Sequence, residues 1–264
     1  MKRCSCKPVL GRVHSFESFG THEGPGIRYL IFLQGCLARC LYCQNPDTWG
    51  LEEGKAFTPQ EVFARIKKCL PYLTASKGGV TVSGGEPLLQ PDFLISLFKL
   101  CRKRSIHTAV DTSAFYPAHT PRKKINTLIQ LTGLFIVDIK AIEERLHKKL
   151  TSRVLKEPLS FIAMLERKKR PYWLRYVLVP GINDSKIELK KLKDFIFNLK
   201  YCQKFEFLPY HTLGRHKWEC LGLRYPLKRV RPATVEDIDR AGREITRTPG
   251  RKVAKTQVTR KCKA

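Results

Sequence analysis

Six short, almost continuously apolar runs constrain this chain more than any other feature. They cover residues 28–33, 79–83, 107–111, 134–139, 173–179 and 205–208. Runs of this length without polar alternation suit parallel strands covered on both faces. Helical patterns separate most of them. Thr58-Pro59-Gln60-Glu61 is a capping box with proline at the first helical position, and Phe63, Ile66 and Leu70 follow at helical spacing. Leu94, Leu97, Phe98 and Cys101 make one apolar face, with Lys99, Arg102, Lys103 and Arg104 gathered at the C-terminal end that favours cations. Leu189, Leu192, Ile196 and Leu199 repeat the pattern, and Thr234 caps a last helix carrying Ile238, Ala241 and Ile245. The helices between the third and fourth and the fourth and fifth runs are less sharply bounded.

Strand–helix alternation with crossovers of this length gives an α/β fold with a parallel sheet and outer helices. Six units are too few to close an eightfold barrel, so the expectation is an open, partial (β/α)6 barrel. The 264 residues suffice for one large domain. We place it at residues 11–246, after an N-terminal extension (1–10) and before a basic, disordered tail (247–264).

In such folds chemistry collects at the carboxyl ends of the strands. Here those ends are unusually polar. They carry Ser83-Gly84-Gly85-Glu86-Pro87 after the second run, Asp111-Thr112-Ser113 after the third and Asp138-Ile139-Lys140 after the fourth. The fifth contains Arg175, and the sixth leads into Pro209-Tyr210-His211. Strand parity alone leaves Arg175 pointing either into the barrel or at its helices.

The first run ends in Gly35 and a loop with Cys36, Cys40 and Cys43, spaced C-x3-C-x2-C. Four thiolates would close a zinc or ordinary iron–sulfur site; three leave one metal corner for something that is not protein. An iron–sulfur cubane with one exposed iron fits this pattern, and an incomplete zinc site is the alternative. The chain has ten cysteines, but only these three are tightly spaced. Cys69 and Cys101 fall on apolar helix faces as small core residues, and Cys4 and Cys6 make a weak pair near the N-terminus. No signal-peptide core is visible, and no apolar run approaches the roughly 18–20 residues of a membrane span. A cytoplasmic protein without membrane contact is expected, where thiols serve metals before disulfides.

The formal charge of +27 permits two readings, a nucleic-acid surface or a solvated basic surface that suits an acidic protein partner. The excess is +9 before residue 132 and +18 after it, and residues 240–264 hold nine Lys or Arg against one Glu. That distribution suits a solvated tail better than a groove, so nucleic acid is not the expected partner.

Taken together, several blocks make the chain resemble the radical S-adenosylmethionine enzymes, and within them the activating enzymes of glycyl-radical enzymes. The resemblance runs from about Gly11 to about Ile245. The cysteine loop from Cys36 to Trp49, Ser83-Gly84-Gly85-Glu86 and Asp138-Ile139-Lys140 carry the wider family. Gly11-Arg12-Val13-His14-Ser15-Phe16-Glu17-Ser18, Gly24-Pro25-Gly26-Ile27-Arg28, the stretch from Arg175 to Gly181 and Leu208-Pro209-Tyr210-His211 complete the match. The Gly11–Ser18 and Leu208–His211 blocks are specific to activators.

The resemblance implies that Cys36, Cys40 and Cys43 hold a 4Fe–4S cluster whose fourth iron is chelated by S-adenosylmethionine. Tyr42, with the backbone of Cys43 and Gln44, would lie near the adenine, and Gly84, Gly85 and Glu86 near the ammonium group. Asp138, Ile139 and Lys140 would face the carboxylate or ribose, and His211 the adenosine end. Asp111, Thr112 and Asp138 match a monovalent-cation site, with ion pairing to Lys140 as the rival explanation, and Arg175 would sit on the substrate side. The implied activity is formation of a glycyl radical on a formate acetyltransferase of anaerobic glucose metabolism, with a flavodoxin- or ferredoxin-type electron donor. Activation of another glycyl-radical enzyme, or modification of RNA or a nucleoside, is the alternative. Glu23 stands where the family commonly has Asp, and Gln44 where it often has His; both positions are expected near the protein substrate.

Overall fold

The computed structural model describes residues 8–246. The basic tail, Cys4, Cys6, Cys262 and most of the N-terminal extension lie outside the described residues.

Two strands open the fold, β1 (Gly11–Gly20) and β2 (Arg28–Leu33), followed by the cysteine loop and the short β3 (Lys55–Phe57). Helices α1 (Pro59–Lys68) and α2 (Leu70–Ala75) lead to β4 (Gly79–Gly84), and α3 (Pro91–Arg102) to β5 (His107–Thr112). Next come α4 (Arg122–Leu131), β6 (Leu134–Asp138), α5 (Glu144–Thr151) and α6 (Lys156–Arg167). The described residues end with β7 (Tyr172–Leu178), α7 (Lys186–Phe197), β8 (Cys202–Pro209), α8 (Arg215–Cys220) and α9 (Val235–Thr246).

All the strands join one eight-stranded sheet in the order β3-β1-β2-β4-β5-β6-β7-β8. The six runs read from the sequence are β2 and β4 to β8, neighbours in chain order and all parallel. β1 and β3 extend the sheet antiparallel beyond β2. The sheet ends at β3 and β8, which do not pair with each other, so the barrel is open.

The period of two along each strand gives the sheet two different faces. Val110, Phe135, Val137, Leu174 and Phe205 point to the helix layer and belong to the main core with Leu94, Leu97 and Phe161. Their neighbours Ala109, Ile136 and Trp173 point the other way, into a small separate apolar cluster. Two residues further along the same inner face come Asp111, Asp138 and Arg175. The inner face is therefore apolar low in the barrel and charged at the carboxyl ends of the strands.

Local signals hold the helices where they were expected. Thr58 and Glu61 form both bonds of the capping box. The Thr234 hydroxyl accepts the Asp237 amide while the Asp237 carboxylate accepts the Thr234 amide. Cys101 is fully buried, and Cys69 is half-buried between α1 and α2.

Candidate active site

The cysteine loop rests on three neighbours. Gly35 accepts the Glu86 amide at 2.7 Å, and Leu33 accepts the Gly85 amide at 2.9 Å. A Cβ on Gly85 would lie 2.1 Å from the Gly35 carbonyl oxygen, so only glycine lets the loops after β2 and β4 interlock. From the other side, α5 presents its last carbonyls: Arg39 donates to Thr151 at 2.8 Å and Leu41 to Leu150 at 2.9 Å. These are the carbonyls a helix terminus leaves without internal partners. Gln44 supplies the third tie, donating to the His211 carbonyl at 3.1 Å and accepting the Gly214 amide at 2.7 Å.

A cavity of about 330 Å³ opens above this platform. Cys36, Cys40, Tyr42, Cys43 and Gln44 line it from the cysteine loop, and Gly84 and Gly85 from the end of β4. Asp111, Thr112, Asp138, Lys140, Arg175 and His211 line it from the later strands. Residues from all six parallel strand ends thus meet at one mouth. Two expected residues do not. Ile139 is fully buried in the main core. Glu86 turns away from the cavity, and its carboxylate accepts from Thr112, Leu88, Ser113 and Phe115. It is a buried staple between two loops; burial pushes its carboxyl up against the pull of these hydrogen bonds.

The Thr112 hydroxyl is engaged as well, donating to Glu86 at 2.5 Å and accepting the Ala114 amide at 2.8 Å. Arg175 points inward. It pairs with Glu206 at 3.0 Å and Asp111 at 3.7 Å, and donates to the His22 carbonyl. Asp111 also accepts from Ser83 at 3.2 Å. Asp138 pairs with Lys140 at 2.7 Å through Oδ2. Burial alone would pull the Lys140 ammonium down, but Asp138 and the neighbouring Tyr42 and Cys40 hold it above its ordinary value.

Three residues lining this cavity each keep a buried polar atom that lacks any partner among the described residues: Tyr42 Oη, Asp138 Oδ1 and His211 Nδ1. Unsatisfied buried groups cost about 1–3 kcal/mol each, so their gathering in one cavity points to a polar ligand. Burial pushes the Cys36 thiol up to about 12, helped by the charge of Glu86, and raises those of Cys40 and Cys43. Such thiols give up their protons on metal binding, which couples loading to pH. Among the described residues no three His, Cys, Asp or Glu side chains converge on one ion position.

Sequence reasoning missed the aromatic support of the loop. Trp218 on α8 donates to the Cys43 carbonyl at 2.9 Å and packs edge-to-face on Trp49 with centroids 5.0 Å apart. Nothing local marks Trp218, which lies 175 residues from Cys43. Glu23 also lines the cavity.

Comparison with known proteins agrees with this geometry. The radical SAM superfamily model matches residues 30–192. The pyruvate formate-lyase-activating enzyme of Staphylococcus epidermidis is 48% identical over 240 residues, spanning 90% of this chain and 96% of that protein. The protein of the same name from Listeria monocytogenes is 45% identical over 224 residues, spanning 84% and 90%. Among solved structures, a domain of a pyruvate-formate lyase-activating enzyme from Bacteroides vulgatus aligns at TM-score 0.52 and 25% identity, over 64% of this chain and 93% of that one. Streptococcus suis SuiB bound to its precursor peptide aligns at TM-score 0.62 over 85% of this chain and 46% of that one; at 15% identity this supports the fold alone. The three-cysteine loop, the open six-strand parallel core and these relatives together show that the chain belongs to the radical SAM superfamily and, within it, to the family of pyruvate formate-lyase-activating enzymes.

Proposed function

We infer that this chain activates pyruvate formate-lyase, the formate acetyltransferase, by creating a glycyl radical on it. The observation that carries this reading is the cavity lined by the three loop cysteines and by Tyr42, Asp138 and His211, each of which keeps a buried polar atom without a partner among the described residues. When bound, the 4Fe–4S cluster and S-adenosylmethionine supply reductive carbon–sulfur cleavage to methionine and a 5′-deoxyadenosyl radical, the hydrogen-abstracting species.

The protein's own residues bind, orient and exclude water. Cys36, Cys40 and Cys43 hold the cluster as thiolates, leaving one iron to the cofactor. Lys140 offers its ammonium to a carboxylate, oriented by Asp138, whose second oxygen remains free to accept from a hydroxyl or ammonium. Burial lowers the His211 imidazole's pKa and so favours the neutral ring, which can accept or donate beside the adenosine. The ring of Tyr42 supplies apolar area near the adenine, next to the backbone of Cys43 and Gln44. Gly84 and Gly85 expose backbone acceptors to the ammonium, with Glu86 and Ile139 fixing the loops from behind. Arg175, held by Glu206 and Asp111, bounds the side where the substrate glycine enters. No acid–base pair is needed, because the step moves a hydrogen atom and not a proton.

A monovalent cation between Asp111 and Asp138 belongs to the same reading, beside Thr112, whose hydroxyl already donates to Glu86 and accepts the Ala114 amide. A flavodoxin- or ferredoxin-type donor fits the net charge of +27, since such carriers are small and acidic. We place the protein in the cytoplasm, and among the described residues no helix is long and apolar enough to cross a membrane.

The test is anaerobic incubation of the iron- and sulfide-reconstituted protein with pyruvate formate-lyase, S-adenosylmethionine and a reductant, read by electron paramagnetic resonance. A glycyl doublet on the partner is expected. Cofactor cleavage without that doublet would overturn the assignment of the partner, and absence of both would overturn the chemistry.

A further inference from the structure

The side-chain amide of Gln44 joins two of the residues that keep an unpartnered buried atom, Tyr42 and His211. Its nitrogen donates to the Tyr42 carbonyl at 3.2 Å and to the His211 carbonyl at 3.1 Å. Its oxygen accepts the Gly214 amide at 2.7 Å. The two carbonyls can only accept and the Gly214 N–H can only donate, so the network fixes which end of the amide is which. Both amide hydrogens are spent, and Gln44 has no donor left for a protein substrate.

The segment after β8 depends on this clasp. Tyr210 is bound on both sides, its amide donating to Leu178 at 3.1 Å and its carbonyl accepting from Ala233 at 2.9 Å. Beyond it, Thr212, Leu213 and Gly214 accept from Arg215, His216 and Lys217 of the adjoining helix, bonds that leave the segment's place in the fold open. Leu213 is 76% exposed, so packing does not hold it. At Gly214 the two loops touch: a Cβ there would lie 2.7 Å from the Gln44 Cα. Glycine at 214 and glutamine at 44 together bring the segment carrying His211 against the cysteine loop.

We propose that Gln44 is a positioning residue that sets the spacing of Tyr42 and His211, and through it the affinity for the adenosine half of the cofactor. The proposal rests on the reading that adenosine lies beside those two residues. A ligand that meets both the Tyr42 ring and the His211 imidazole needs them at one separation, and a small misplacement forfeits one contact. A single amide bridging their carbonyls fixes that separation before the cofactor arrives, which leaves less ordering to the binding step.

The experiment compares reconstituted wild-type protein with Gln44→Met, which keeps the length and loses all three bonds, and Gly214→Ala, which pushes the loops apart. Iron and sulfide content is measured first, then S-adenosylmethionine affinity by calorimetry and exchange of the Gly214 amide by mass spectrometry. Both variants are expected to load fully and to bind about tenfold more weakly. In Gln44→Met the Gly214 amide should also exchange about tenfold faster. In a His211→Ala background the further loss from Gln44→Met should shrink to about twofold, because the ring it positions is gone.

A loaded variant of either kind with wild-type affinity would overturn the proposal, and so would an undiminished loss in the His211→Ala background. If neither variant loads, wild-type protein decides. By reciprocity, bound S-adenosylmethionine should slow exchange at Gly214, and an unchanged rate would overturn the proposal. Loaded wild-type protein that fails to bind S-adenosylmethionine would instead overturn the underlying reading of the cavity.

Discussion

The inner face of this barrel holds two buried polar clusters, and they obey opposite rules. Low in the barrel Arg28 is fully buried, and each of its three guanidinium nitrogens has a partner. It donates to Thr81 at 2.8 Å, to the Val80 carbonyl at 2.5 Å and to the Pro25 carbonyl at 3.3 Å, and it contacts His107 at 3.2 Å. At the mouth Tyr42, Asp138 and His211 each keep a buried atom with no partner among the described residues. The first cluster is complete by itself and serves the fold. The second is incomplete until a ligand arrives, so its cost in the free protein is the counterpart of its binding function.

This contrast breaks most easily at the mouth. Replacing Cys36, Cys40 or Cys43 with alanine should abolish both iron–sulfide loading and reductive cleavage of S-adenosylmethionine, while the melting temperature of the metal-free protein stays near wild type. Retained cleavage in any one variant would remove that cysteine from the site. Next in size is Gly85→Ala, which drives a methyl into the Gly35 carbonyl and should cost more than about 3 kcal/mol in chemical denaturation. A smaller loss would mean that the two loops are not interlocked.

At the lower cluster, Arg28→Leu leaves three oxygens without a donor and should cost about 2–3 kcal/mol without changing the cluster's spectrum. Tyr42→Phe should do the reverse. It removes a hydroxyl that is already unpartnered, so metal-free stability should change by less than about 1 kcal/mol, while affinity of the loaded protein for S-adenosylmethionine falls several-fold. Lost stability with unchanged affinity would show that the hydroxyl serves the fold.

The smallest effect is on pH dependence. Burial, and secondarily the charge of Arg28, lowers His107 from its ordinary 6.5 to about 4. The unfolded chain therefore binds a proton first as pH falls. The stability gained by keeping His107 neutral is complete above 6.5 and declines towards pH 4. His107→Gln should flatten that part of a melting-temperature profile; an unchanged slope would assign it to other groups.

The parallel core was legible because each strand is buried on both faces and advertises this as an unbroken apolar run. β1 was not recognised as a strand, although Arg12 and His14 alternate with buried Val13, because its half-buried pattern coincides with a sequence motif. β3 has only three residues, too few for any periodicity. At the site, strand parity left Arg175 pointing either into the barrel or at its helices, because the sequence does not say which face is inward. Glu86 looked like a mouth residue and is instead consumed by four loop donors. Trp218 was invisible because its meaning lies wholly in a contact made across the fold.

The open sheet has a mechanical consequence. In a closed barrel, strand number and shear fix the diameter, and widening the lumen means breaking the ladder. Here β3 and β8 are free ends of one sheet. A small change of twist distributed over the eight strands alters the width of the mouth without breaking a backbone hydrogen bond. Such a change leaves the cysteine platform, tied to the loop after β4 and to the end of α5, with its geometry intact.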